Sequence, residues 1–229
     1  MKKKTAFSIC MVLISFLGIS QENQRNILGI RAGINFQNIN GKEFDGSTTD
    51  NDMKMGFHAG ITAQFPIATD FYFQSGILFS TKGATQKASI SGNSIKSTVT
   101  LGYLEVPFNL LYKPVLGSGR LLLGFGPYIG YGITGNSKYE TSGTDNGSSE
   151  RDVIYTSEVN ATDNNGNIYF KPFDAGANLL FGYEFSNRVS AQLNTQLGLV
   201  KINPEYNGVA DDKRAYKNTG FGVSIGYLF

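Results

Sequence analysis

"LLLGFGPYIGYGITG", Leu121 to Gly135, is apolar almost throughout, yet it carries a glycine every few residues. A membrane-spanning helix would need about 20 apolar residues with a 3.6-residue period. Here the residues alternate instead. Leu121, Leu123, Phe125, Ile129, Tyr131 and Ile133 fall on one face, and Gly124, Gly126, Tyr128, Gly130 and Gly132 on the other. A dinucleotide-binding turn is also excluded. Gly124-Phe125-Gly126 is followed by Gly130, one position late for G-x-G-x-x-G, and no helical pattern comes after it. Period two is strand geometry, with successive side chains on opposite faces.

The same alternation occurs in seven further runs. These are Leu28–Phe36, Met53–Phe65, Phe71–Lys82, Tyr103–Tyr112, Phe173–Phe185, Val189–Leu199 and Gly220–Phe229. Eight strands result. Short connections (Ala68–Asp70, Pro114–Gly119, Ser186–Arg188) alternate with long polar ones (Asn38–Asp52, Gly83–Thr98, Gly135–Ile168, Lys201–Tyr216). An even-numbered antiparallel meander with short turns at one end and long loops at the other predicts an all-β, eight-stranded, up-and-down transmembrane barrel.

A soluble barrel would also alternate, with its apolar face inward. Three features point to apolar-out. No position on the apolar faces is charged, and Lys or Arg at the bilayer midplane costs about 2–4 kcal/mol. The other face is rich in Gly, Ser, Asn and Gln, whereas a water-facing surface carries many Lys and Glu. The apolar-face aromatics collect at strand ends. Phe65, Phe71, Phe73, Tyr112, Tyr183, Phe185, Tyr227 and Phe229 lie near the short turns; Phe36, Phe57, Phe79, Tyr131, Phe173 and Phe221 lie near the long loops. Two aromatic belts mark two membrane interfaces. Pro107, Pro127 and Pro172 interrupt strand patterns, so a bulge or the rim is expected at each.

The first 20 residues read as a secretory signal. Lys2, Lys3 and Lys4 precede the apolar stretch Ala6–Ile19, and Gly18 and Ser20 are small residues before a cut. A retained N-terminal anchor is the alternative. Cys10 lies inside the apolar stretch rather than at the cut, which argues against a lipoprotein. Loss of this segment takes three lysines and no acid, so 20 basic and 18 acidic side chains become 17 and 18. That balance gives no basis for nucleic-acid binding. The only cysteine leaves as well, and with it any disulfide or thiolate metal site. Residues 21–229 then form one barrel domain.

The chain ends "GFGVSIGYLF", with Phe229 preceded at alternate positions by Tyr227, Ile225, Val223 and Phe221. This resembles the C-terminal signal recognised by the barrel-assembly machinery of outer membranes. "YLEVPFNLLYK", Tyr103 to Lys113, resembles the Y-L-E-x-P-x strand of the PorT-like outer-membrane β-barrel family, and "GIRAGINF" and "FQSGILFSTKG" are similar to that family too. The resemblance runs over the mature chain. It implies an OmpX/OmpA-like barrel in the bacterial outer membrane, in contact with outer-membrane lipid and inserted by the barrel-assembly machinery. The family's named member is associated with a secretion system, so a secretion-associated role is one expectation.

Phase places Arg31, Lys54, Lys82, Glu105, Asp174 and Glu184 inside. With His58 and Tyr128, the residues Arg31, Glu105 and Asp174 make the expected interior polar cluster. A plug of paired charges fits a lumen just wide enough for side chains; an ion path is the competing reading. His58, the only histidine, is the candidate base of a lipid-modifying enzyme, but its inward position reads as a packed, hydrogen-bonded interior residue, and no G-x-S-x-G occurs. "DNNGN", Asp163 to Asn167, lacks the glycine and terminal acid of a calcium loop and reads as a flexible polar loop. No catalytic, cofactor-binding or metal residue is assigned. The expectation is a monomeric, non-enzymatic barrel whose long loops meet an envelope or extracellular protein partner, with a small-solute, porin-like channel or a lipid-modifying enzyme as alternatives.

Overall fold

The computed structural model describes residues 27–90, 92–143, 146–160 and 166–229. The proposed signal, residues 1–20, and most of Asp163–Asn167 lie outside the described residues. In chain order the strands are β1 (Ile27–Asn40), β2 (Asp52–Ala68), β3 (Phe71–Ile90), β4 (Asn93–Tyr112), β5 (Val115–Leu116), β6 (Gly119–Ser142), β7 (Gly147–Tyr155), β8 (Glu158–Asn160), β9 (Ile168–Phe170), β10 (Phe173–Glu184), β11 (Val189–Gly198), β12 (Glu205–Asn207) and β13 (Lys217–Leu228).

Eight of them form a ring, in the order β10-β11-β13-β1-β2-β3-β4-β6, closed by the pairing of β6 with β10. Every neighbouring pair is antiparallel. Closure leaves no sheet edge within the lipid, where an unpaired backbone group finds no water.

The faces divide as lipid contact requires. Leu28, Ile61, Phe125, Tyr131, Leu179 and Ile225 are exposed on the outside, while Asn35, Gln64, Gln74, Asn109 and Gln192 are buried in the lumen. The outward rings pair across strands. Phe36 stacks on Phe221 at 5.4 Å and Phe57 lies 5.7 Å from Phe79 at the long-loop end. Phe71 stacks on Tyr112 at 4.8 Å at the other end. From Phe57 to Phe65, belt to belt on β2, is about nine residues, the length of a tilted transmembrane strand.

The short turns carry their own chemistry. Asp70 and Arg188 adopt φ values of 60° and 65°. Asp70 anchors its turn by accepting from Lys113 N–H through its carbonyl (2.7 Å) and from Arg120 Nη1 through its carboxylate (2.8 Å).

Three expectations are corrected. Gly83–Thr98 is not a loop: β3 and β4 continue in register past the membrane to Ile90 and Asn93. Likewise β6 runs to Ser142 and pairs with β7, so much of Gly135–Ile168 is sheet. Beyond the bilayer both faces meet water, so the polar-apolar contrast disappears while Thr98, Val99 and Thr100 still favour strand. Finally, Pro107 and Pro127 cause no bulge. Pro107 keeps its partner Tyr128 on β6, and Pro127 keeps Ala177 on β10. Each loses ladder rungs only on the side where its N–H is missing, and the register is the same before and after. In the β4–β6 pairing the bulge lies instead at Ile133, since Gly102 pairs with Thr134 and Tyr103 with Gly132; the β2–β3 pairing also shifts register between Met53 and His58 and between Pro66 and Ala68. Pro172 precedes β10 at the rim, and its carbonyl accepts from Gly132 N–H beside that bulge.

Candidate functional site

Three layers fill the lumen. At the short-turn end Lys113 is buried, bonds Glu184 at 2.6 Å and Gln64 Oε1 at 2.8 Å, and sits 4.8 Å from the Tyr72 ring centre. Leu111, Leu122 and Leu180 pack above it, with Tyr72 against them.

The middle layer is polar. Lys82 Nζ lies 2.5 Å from Glu105 Oε1 and 2.9 Å from Asp174 Oδ2, and the Lys82 and Asp174 side chains are wholly buried. Asp174 Oδ2 also accepts from Asn218 Nδ2 at 3.0 Å and Tyr128 OH at 3.3 Å. Glu105 Oε2 accepts from Gln196 Nε2 at 3.2 Å. The ammonium stands 4.3 Å from the Tyr128 ring centre. A charge is kept in a low-dielectric interior only when paired and hydrogen-bonded in this way. The void beside this network, between Arg31, Glu105 and Tyr128, is about 20 Å³. That is room for about one water molecule.

Of the five interior residues expected from phase, Glu105, Tyr128 and Asp174 come together, but around Lys82. Arg31 is electrostatically coupled to Glu105, and donates a long bond to Gln192 Oε1, 3.4 Å. His58 lies apart, buried opposite Ser80 and Gly33. Its Nε2 has no hydrogen-bond partner among the described residues, so the expected hydrogen-bonded histidine is not formed at that nitrogen. Phe221, Val223, Ile225, Tyr227 and Phe229 all face outward, along or just beyond β13.

The third layer is an apolar cap at the long-loop mouth. Ile39, Ala84, Leu101 and Tyr103 from the barrel wall meet Val153, Phe170 and Ile202 from the long connections. The Tyr155 ring lies over Gly132, 6.2 Å from Tyr103, and its hydroxyl donates to Thr134 O at 2.9 Å. The two connections are tied together. Lys171 N–H donates to Ile202 O (2.6 Å), Ile202 N–H to Tyr216 O (2.9 Å), and β8 pairs in parallel with β12. The cap residues were not legible as a site. Their trace is apolar islands, Val153–Tyr155, Ile168–Phe170 and Ile202, in mostly polar connections.

The family model described as "Outer membrane protein beta-barrel domain" matches residues 19–203, well over half of the chain. The chain belongs to that family. This outer-membrane barrel therefore resides in the bacterial outer membrane. Among solved structures it is similar to Ail, the attachment invasion locus protein of Yersinia pestis (13% identity, TM-score 0.35, covering 90% of this chain and 100% of that one). Neisserial surface protein A is another (10%, 0.43, 90% and 100%), as is OprG from Pseudomonas aeruginosa (12%, 0.38, 90% and 97%). No curated protein matches it in sequence. Among the described residues of this outer-membrane barrel, no group of His, Cys, Asp and Glu is placed to hold a metal ion.

Above the cap, the connection between β11 and β13 carries a local ion pair. Arg214 Nε and Nη2 donate to Asp212 at 2.8 and 2.7 Å, and the guanidinium lies 4.0 Å from the Tyr206 ring centre. Hydrogen bonding by Arg214 holds the Asp212 carboxyl below the ordinary carboxylate value. A depressed folded value means the pair stabilises this connection above the unfolded Asp value, about pH 4, and the contribution is lost as pH falls through the folded one. Amide-exchange protection factors across residues 201–216 are expected to drop on acidification through that window. Asp212→Asn should show the low protection already at neutral pH and no such drop. An unchanged pH dependence in the variant would contradict this.

Proposed function

We propose that this protein is a non-enzymatic, non-conducting outer-membrane barrel that holds a folded extracellular cap as its working surface for an envelope or extracellular partner. The observation that carries the reading is the filled lumen: an ion-paired plug, a buried polar network and an apolar cap, stacked along one axis. An eight-stranded barrel is just wide enough to be filled by side chains, and here the void beside the buried network is only about 20 Å³. The long-loop side, by contrast, is elaborated into paired strands rather than left as loose loops, which is what a binding surface needs. His58 is buried and its Nε2 has no hydrogen-bond partner among the described residues, so no carboxylate orients it there, which speaks against a catalytic base. Monomeric insertion by the barrel-assembly machinery, through the alternating residues that end at Phe229, belongs to the same reading, and so does any support of secretion.

The test is planar-bilayer recording of the purified, folded protein. The expected trace is flat. Reproducible ohmic steps would sink the non-conducting reading and favour a small-solute channel.

A further inference from the structure

A row of hydrogen-bonding groups crosses the extracellular sheet at one level. Gln86 on β3 stands opposite Ser97 on β4, and Ser97 opposite Tyr139 on β6. The bulge at Ile133 sets this up. Below it the even-numbered residues of β6 face inward; above it the odd-numbered ones do, which turns Tyr139 to the inner side. All three side chains line a cavity of about 390 Å³. That is within the ~300–1,000 Å³ typical of small-molecule sites. The Gln86 amide and the Ser97 and Tyr139 hydroxyls make no side-chain hydrogen bond among the described residues.

The facing wall is aromatic and already satisfied. Tyr206 carries the Arg214 guanidinium 4.0 Å from its ring centre, and Tyr216 OH donates to Glu43 Oε2 at 2.7 Å. The charges in the lining, Glu43 and Arg214, cancel, and the Arg214 fork is occupied by Asp212. An anionic ligand finds no open cation there. A ligand that suits this site has many hydroxyls for donors and acceptors spaced about 4.8 Å apart across strands. It also has C–H faces to lie against the negative faces of tyrosine rings. It carries no charge. Those properties together describe a sugar.

We propose that this cavity binds a neutral oligosaccharide, with Gln86, Ser97 and Tyr139 hydrogen-bonding its hydroxyls and Tyr206 and Tyr216 forming the facing aromatic wall. The proposal rests on reading the cap as the working surface.

Saturation-transfer NMR on the full chain folded in detergent tests it. The probes are neutral di- and trisaccharides built from glucose, mannose and N-acetylglucosamine, with sucrose octasulfate as the polyanionic comparison. At least one neutral sugar is expected to bind, and sucrose octasulfate is not. Gln86→Ala combined with Tyr139→Phe should weaken binding about tenfold, the loss of about two ordinary hydrogen bonds. Lys87→Ala, whose partner Asp52 does not line the cavity, should leave binding unchanged. Both changed side chains are exposed, and retained heat-modifiable gel migration checks that each variant still folds. The proposal falls if no neutral sugar in the set binds, if sucrose octasulfate binds in their place, or if the double variant binds like the parent. Bilayer recording on the same preparation separates the two readings. Conductance with sugar binding defeats only the closed lumen, and silence without sugar binding defeats only the sugar site.

Discussion

Lys82→Met is expected to destabilise the barrel by about 3–5 kcal/mol, the cost of leaving buried charges without their partner. Among the described residues, Lys82 is the single cation within bonding distance of both Glu105 and Asp174. Arg31 attracts Glu105 electrostatically, and with it the four groups are neutral as a set. Without the ammonium, two carboxylates remain in a space that holds about one water. Gln196, Asn218 and Tyr128 still donate to them, but these are neutral donors. The measurement is the urea midpoint for unfolding from lipid vesicles, read by heat-modifiable gel migration.

The sharper half of this prediction is the rescue. Adding Asp174→Asn to Lys82→Met removes the stranded charge, keeps a shape that hydrogen-bonds, and leaves Glu105 as the counter-charge of Arg31. Most of the lost stability should return, because removing both members of a buried ion pair often costs little while breaking it costs much. If Lys82→Met alone unfolds at the parental midpoint, the network contributes nothing to holding the barrel. If the double variant is no better than the single one, the loss comes from lysine packing and not from charge.

The eight strands within the bilayer were legible because lipid on one side and a narrow lumen on the other impose a strict period of two. That constraint ends at the aromatic belts. Gln86 to Ile90 and Asn93 to Ser97 are as regular in backbone pairing as any membrane strand, yet water on both faces removes the pattern that betrays a strand. The interior was legible by side and not by depth. Phase puts Arg31, His58, Glu105, Tyr128 and Asp174 in the lumen, but which of them meet depends on the stagger of strands around the ring. That stagger brings Asp174 on β10 to Lys82 on β3, with β4 and β6 between them, and leaves His58 beside Ser80. Pro107 and Pro127 do not mark the bulge in the β4–β6 pairing. A proline's missing donor costs a rung, whereas a bulge needs an extra residue, and at Ile133 no unusual residue marks the insertion.

Gly126→Ala is expected to prevent stable folding, while Gly130→Ala, four residues along the same strand, is expected to be nearly silent. Both glycines belong to the run that reads "LLLGFGPYIGYGITG", and composition treats them alike. Their surroundings differ. A Cβ on Gly126 would stand 1.9 Å from Phe108 O and 2.8 Å from Asn109 Cα, both backbone atoms of β4. No rotamer change relieves that contact, so β4 and β6 would have to part at the place where Pro127 has already removed rungs. Ordinary overpacking costs about 1–3 kcal/mol; a clash with a paired backbone belongs at or beyond the top of that range. A Cβ on Gly130 meets only the Tyr103 ring at 3.5 Å and the Asp174 and Glu105 side chains at 3.6 Å, all ordinary contact distances. The yield of heat-modifiable protein on refolding into vesicles should therefore collapse for Gly126→Ala and match the parent for Gly130→Ala. Equal yields for the two would mean that β4 does not approach β6 at Gly126 as closely as the distances to Phe108 and Asn109 require.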